Sequence, residues 1–126
     1  MKRSISFFTT SLLLIFSTLI INSCGNREET VSCFPEVPIN VVINLNLPAY
    51  YELQNVNGWI YLNQIESGTR GLIIVRTTNG FKVFDRNAPH ICPDNNTTLI
   101  VDSNIKIVCP KDGAEWILLT GEPTKI

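Results

Sequence analysis

A chain of 126 residues has room for one domain with a modest core. Its formal charge is −1, and no basic patch interleaved with aromatics occurs, so nucleic-acid binding finds no support. No glycine-rich phosphate loop is present, no serine or cysteine nucleophile has a base at motif spacing, and a hydrolytic triad would have to use the one histidine, His90.

At the start, Lys2 and Arg3 precede a short apolar run, Ile5 to Ile21, broken by hydroxyl residues. That pattern reads as a secretory signal; a spanning helix wants ~20 predominantly apolar residues, which this run barely supplies. Ile21-Asn22-Ser23-Cys24-Gly25 then resembles a bacterial lipobox, although Asn22 is unusual in it. The resemblance implies a signal peptide over 1–23, acylation at Cys24, and anchoring to the membrane by lipid chains, each buried CH₂ contributing ~0.8 kcal/mol. Arg27-Glu28-Glu29 is similar to the short signal that sends some Bacteroidetes lipoproteins to the cell surface, which implies the outer membrane and an outward-facing option. Without Lys2 and Arg3 the formal charge falls from −1 to −3. Export would place Cys33, Cys92 and Cys109 in an oxidising compartment, where pairing is expected but three is an odd number.

Residues 24–39 are polar with Pro35 and Pro38 and read as a tether; the domain is expected over 40–126. Val41, Ile43, Leu45 and Leu47 alternate with Val42, Asn44 and Asn46, a period of two that predicts a strand ended by Pro48. Tyr50-Tyr51-Glu52-Leu53 is a candidate for the next strand. Asn57-Gly58 signals a turn before Trp59-Ile60-Tyr61-Leu62. Leu72-Ile73-Ile74-Val75 is wholly apolar, as a buried strand would be, and Asn79-Gly80 predicts a hairpin into Phe81-Lys82-Val83-Phe84. Thr98–Val101 and Ile105–Val108 flank a second hairpin turn at Asp102-Ser103-Asn104, and Glu115–Leu119 is the last strand expected. Trp59, Tyr61, Phe81, Phe84 and Trp116 are expected in the core. Short strands with regular turn signals predict an all-β antiparallel sandwich or small barrel.

The chemistry-bearing residues lie between Phe84 and Pro123, in two loops that each carry a Cys-Pro dipeptide, Cys92-Pro93 and Cys109-Pro110. Val83-Phe84-Asp85-Arg86 leads into the first; Cys109-Pro110-Lys111-Asp112-Gly113-Ala114-Glu115-Trp116 and then Thr120-Gly121-Glu122-Pro123 form and follow the second. Over roughly its last half the chain resembles Rieske-type domains, in which two such loops hold a [2Fe–2S] cluster through two thiolates and two imidazoles. The resemblance implies a small antiparallel fold with both loops at one end. The ligands themselves do not carry over. Aligned on Asp85-Arg86, the first motif falls on Ala88-Pro89-His90 and lacks its thiolate. Aligned on the Cys-Pro dipeptide, it falls on Cys92-Pro93-Asp94 and lacks its imidazole. In the second loop Cys109 is kept and Asp112 replaces histidine.

Facing loops of this kind imply a disulfide between Cys92 and Cys109 in place of the cluster, with Cys33 left unpaired. The favoured expectation is therefore a membrane-anchored module without cofactor, structural or interacting with a protein partner, and not an enzyme. One alternative is electron transfer through a [2Fe–2S] cluster or a single zinc or iron ion, held by Cys92, Asp94, Cys109 and Asp112 with His90. The other is a redox-active disulfide at Cys92 and Cys109. A mixed set of His90 with Asp94, Asp112 or Cys109 would suit zinc; the plainer reading of His90 is a hydrogen-bonded loop residue. Asp112-Gly113 reads as a turn, and Arg86 as an ion pair with Asp85 or a loop brace.

Overall fold

A computed structural model describes Thr9, Ser11, Leu12 and residues 32–126. Apart from those three positions, the signal segment, the lipobox with Cys24, and Arg27-Glu28-Glu29 lie outside the described residues. Among the described residues, no helix is long and apolar enough to cross a membrane.

Residues 32–126 form one unit, distinct from residues 1–31. It is all-β, with two antiparallel sheets. β1 (Trp59–Leu62), β2 (Leu72–Thr77) and β3 (Gly80–Asp85) form the first sheet in that order. β4 (Ile100–Asp102), β5 (Lys106–Val108), β6 (Glu115–Ile117) and β7 (Pro123–Lys125) form the second, again in chain order.

The apolar run of β2 is buried on both faces because it serves two cores. Ile73 and Val75 point into the main cluster, with Ala88, Leu99, Ile107, Cys109, Ala114, Trp116 and Leu118. Leu72 and Ile74 point the other way, onto Tyr50, Leu53 and Leu62. Complete burial of a residue such as Ile73 or Ile107 contributes about 1.5–3 kcal/mol relative to leaving it in water. The main cluster joins the sheets, since it draws on β2 from one and on β5 and β6 from the other.

Several expectations are corrected by this architecture. The alternation over Val41–Leu47 marks which side faces inward, with Val41, Ile43 and Leu45 packed on the smaller cluster and Val42 exposed, yet the segment pairs with no strand. Side-chain alternation reports faces; a ladder also needs a partner edge. Tyr50–Leu53 is not a strand but part of a 3₁₀ helix, Pro48–Gln54. Proline presets the first helical φ there, and the i, i+3 spacing turns Tyr50 and Leu53 inward together.

The first hairpin forms, but its register pairs Thr77 with Gly80, so Thr78 and Asn79 make the turn and not Asn79-Gly80. In the second, Ser103 and Asn104 both adopt positive φ and Ile105 N–H returns to the Asp102 carbonyl. Asn104 Oδ1 also accepts the Trp59 indole N–H at 2.9 Å, linking that turn to β1. Gly58 has no room for a side chain: a Cβ there would lie 1.7 Å from the Glu52 carbonyl oxygen. β7 carries no sequence signal and completes the sheet across an irregular register at Glu115/Trp116.

Of the five aromatics expected in the core, Trp116 is buried, Trp59 and Phe84 are partly so, and Tyr61 and Phe81 lie at the surface. The exposed pair carry arginines instead, Arg86 over Tyr61 at 4.0 Å and Arg76 over Phe81 at 4.6 Å. Residues 32–39, read as the end of a tether, belong to the domain. Cys33 is disulfide-bonded and Ile39 forms a bridge with Ser67.

Candidate functional site

The loop between β3 and β4 and the loop between β5 and β6 meet, and each is shaped by its own backbone first. In the second loop Gly113 N–H donates to the Cys109 carbonyl and Cys109 N–H to that of Ala114, both at 2.9 Å. Gly113 takes φ +74, and Asp112 Oδ1 accepts the Ala114 N–H at 3.1 Å, so Asp112-Gly113 is the turn that was expected. This turn buries Cys109 and Ala114 and leaves Asp112 facing the other loop.

The first loop enters through Arg86, whose Nε donates to the Leu99 carbonyl at 3.0 Å while its guanidinium covers Tyr61. Arg86 is thus a brace; Asp85 instead accepts the backbone and side-chain N–H groups of Asn87. Ala88 is wholly buried in the main core. Further on, buried Thr97 closes the loop, its hydroxyl donating to the Asp94 carbonyl and accepting the Asp94 N–H.

Between the loops, His90 Nε2 lies 2.5 Å from Asp112 Oδ2. The His90 hydrogen bond, followed by the Ala114 amide, holds the Asp112 carboxyl down at about 2 from its ordinary 3.8. An ionised carboxylate only accepts, so Nε2 is the donor in this pair. The Cys109 thiol is a second side-chain donor to the same carboxylate. His90 has 17% of its side chain exposed and Asp112 40%, whereas Cys109 is fully enclosed. The imidazole packs near Trp116, centroids 5.4 Å apart, and its Nδ1 is buried without a hydrogen-bond partner.

A second contact joins Lys111 Nζ to Asp94 Oδ2 at 2.8 Å. That hydrogen bond, ahead of the Asn95 amide, lowers the Asp94 carboxyl below its ordinary value.

The cysteine pairing differs from the expectation. Cys92 is bonded to Cys33, not to Cys109, with Cα atoms 5.6 Å apart, and Cys109 is in no disulfide. A bond between Cys92 and Cys109 is therefore corrected, and so is an unpaired Cys33. The physical reason is direction: Cys109 points down into the core, while Cys92 lies exposed on the rim, where the N-terminal segment passes.

Of the candidate metal ligands, three come together. A ring nitrogen of His90, the sulfur of Cys109 and a carboxylate oxygen of Asp112 all lie within 4.8 Å of one another. Cys92 and Asp94 stand outside this group, engaged by Cys33 and Lys111 respectively. His90 from the first loop, and not Cys92 or Asp94, meets the second loop's Cys109 and Asp112, while Ala88 is buried in the main core. The roles of Cys33 and Lys111 are not visible in the sequence, since neither belongs to a local motif with its partner.

Chemically the trio is not a nucleophile relay. Asp112 is central, taking hydrogen bonds from both Cys109 and His90, whereas thiol activation needs the imidazole between thiol and carboxylate. Compared with protein-family models, curated proteins and solved structures, the chain matches none.

Proposed function

We propose that this chain is a membrane-anchored, Rieske-like β module of the cell envelope that has lost its iron–sulfur cluster and serves as a structural or interaction module. The observation that carries this reading is the donor set between the two loops. A Rieske centre takes two thiolates and two imidazoles. Here Cys92 is consumed in the bond to Cys33, Ala88 offers no donor, and the junction retains one thiol, one imidazole and one carboxylate. One thiolate cannot hold the iron that needs two, and a carboxylate is a harder ligand than sulfide-bridged iron normally takes. The residues present therefore do not fit a [2Fe–2S] cluster.

Resemblance of Val83–Arg86, Cys109–Trp116 and Thr120–Pro123 to the family's loops and flanking strands supports the Rieske-like part of the reading. The two-sheet antiparallel architecture is compatible with it. The anchor and the envelope location rest on the lipobox resemblance at Cys24.

The test is made on the full chain, extracted in detergent. Iron, acid-labile sulfide and the visible spectrum before and after dithionite are measured. A colourless protein without sulfide is expected; stoichiometric iron and sulfide would overturn the reading. A Cys24→Ala variant is expected to lose acylation and leave the membrane fraction, and its retention there in unmodified form would remove the anchor.

A further inference from the structure

We infer that His90, Cys109 and Asp112 form a mononuclear site for a borderline-soft divalent cation, zinc before others, with a fourth coordination position open to water. The His90 imidazole lies 2.5 Å from the Asp112 carboxylate, and the Cys109 sulfur lies within 4.8 Å of both donor atoms. A divalent cation at that point replaces hydrogen as the shared partner of the three donor atoms. Nitrogen, sulfur and oxygen donors together suit zinc, which accepts all three and has no geometric preference of its own.

Distances allow it. Zinc bonds of about 2.0–2.3 Å place tetrahedral ligand atoms roughly 3.3–3.8 Å apart. The three donor atoms all lie within 4.8 Å of one another and the His90–Asp112 pair at 2.5 Å, so that pair must open by about an ångström and no other separation needs to close by more than roughly 1.5 Å. Both adjustments fall on loop side chains that are partly exposed, while the deepest donor, Cys109, is fixed by the hydrogen bonds of its turn. Nδ1 of the same ring is buried without a hydrogen-bond partner, so no hydrogen bond on that side holds the imidazole against the adjustment.

Competition for the donors is low. Among the described cysteines Cys109 has no thiol partner, since Cys33 and Cys92 are joined to each other. Asp94 is engaged by Lys111 at 2.8 Å and stands outside the group. Exposure of His90 and Asp112 gives the ion a path in from solvent and leaves the fourth position on the outer side. In the binding step three metal–ligand bonds form, the Cys109 thiol hydrogen leaves as a proton, and the hydrogen on His90 Nε2 also leaves, so that Nε2 offers its lone pair and the ring's one N–H is at Nδ1.

Three protein ligands with an open position define a site that can bind an outside donor, in contrast to a closed structural site. The inference goes beyond the cluster-free reading and does not need it. Iron with sulfide would overturn that reading, whereas this one stands or falls on a single divalent ion.

The test is a cobalt(II) titration of the detergent-extracted full chain, with zinc added afterwards as a competitor. One equivalent is expected, with a thiolate-to-cobalt charge-transfer band that zinc removes. His90→Gln and Asp112→Asn should each weaken binding by more than the roughly 10–100-fold typical of losing an outer-shell partner. Cys109→Ser should abolish the band. Because Cys109 is buried and its variant can fail to fold, the His90 and Asp112 variants decide, with near-ultraviolet circular dichroism verifying their fold. Asp94→Asn should bind as the parent does. Absence of a saturable one-equivalent site, or a band undiminished in His90→Gln and Asp112→Asn, would overturn the inference.

Discussion

Replacing Cys33 and Cys92 together by serine should cost the domain much of its stability, and the structure sets the size of the effect. The bond spans 59 residues of sequence. In the chain-entropy treatment, a cross-link closing a loop of that length removes about 4 kcal/mol of denatured-state entropy; measured values often fall short of the prediction, so a loss of about 2–4 kcal/mol is expected. For a domain of this size each kcal/mol moves the Tm by about 4–8 °C, so the midpoint should fall by roughly 10–30 °C. The double variant is preferred to Cys33→Ser alone, which would leave Cys92 free to pair with Cys109. Calorimetry of parent and variant under non-reducing conditions gives the difference, and peptide mapping of the parent locates the bond. A linked peptide containing Cys109, or a double variant within about 1 kcal/mol of the parent, would refute the reasoning, since the typical contribution begins at about 2 kcal/mol.

Two further perturbations test the loop junction and its surroundings. Asp112 has its folded carboxyl depressed to about 2 from 3.8, so its contribution is present above the ordinary value and is lost as pH falls through that interval. Denaturant midpoints measured at neutral pH, near pH 4 and near pH 2 should therefore fall less steeply at the acid end in Asp112→Asn than in the parent; identical slopes would exclude the coupling. Gly121 has φ +76, and a Cβ there would lie 2.6 Å from Phe84 Cε1. Gly121→Ala should thus destabilise by about 2–4 kcal/mol, combining left-handed backbone cost with displacement of the ring. Urea unfolding within about 0.5 kcal/mol of the parent, the ordinary range of a surface change, would show that both costs are relieved elsewhere.

What the sequence made legible was local. Strand β2 was readable because an apolar run of four leaves few places but a two-sided interior, and the structure uses both sides. The Ser103-Asn104 turn and the Asp112-Gly113 turn were readable because their side chains tolerate, or directly stabilise, the backbone they adopt. What failed was partnership at a distance. Val41–Leu47 has a strand's alternation, but it pairs with no strand. Tyr50–Leu53 was drawn into a 3₁₀ helix by Pro48 and by the pull of the smaller core on Tyr50 and Leu53. The disulfide was misassigned for the same reason. Two Cys-Pro loops suggested each other, while the true partner of Cys92 lies 59 residues upstream in a segment with tether-like composition. At the site, His90, Cys109 and Asp112 were all named from sequence; that they converge without Cys92 and Asp94 is a matter of which way Cys109 turns.

The direction of Cys109 also settles what holds the loops together in the absence of any ion. Neither cross-loop contact is strong by itself, because Asp94, Lys111 and Asp112 are all substantially exposed and water screens such pairs. The disulfide does not join the two loops either; it ties the first of them to the N-terminal segment. The common element is underneath. Ala88 from the first loop and Cys109 and Ala114 from the second lie in one buried cluster with Ile107, Trp116 and Leu118, so each loop is seated on the same core before any of its polar groups meet. A sulfur in that cluster behaves as a small hydrophobe toward the core and as a donor toward Asp112. It follows that the loops do not need a metal to stay in register. An ion at the junction would add to an arrangement that packing already provides, and its removal should leave the sheets and the loop positions unchanged.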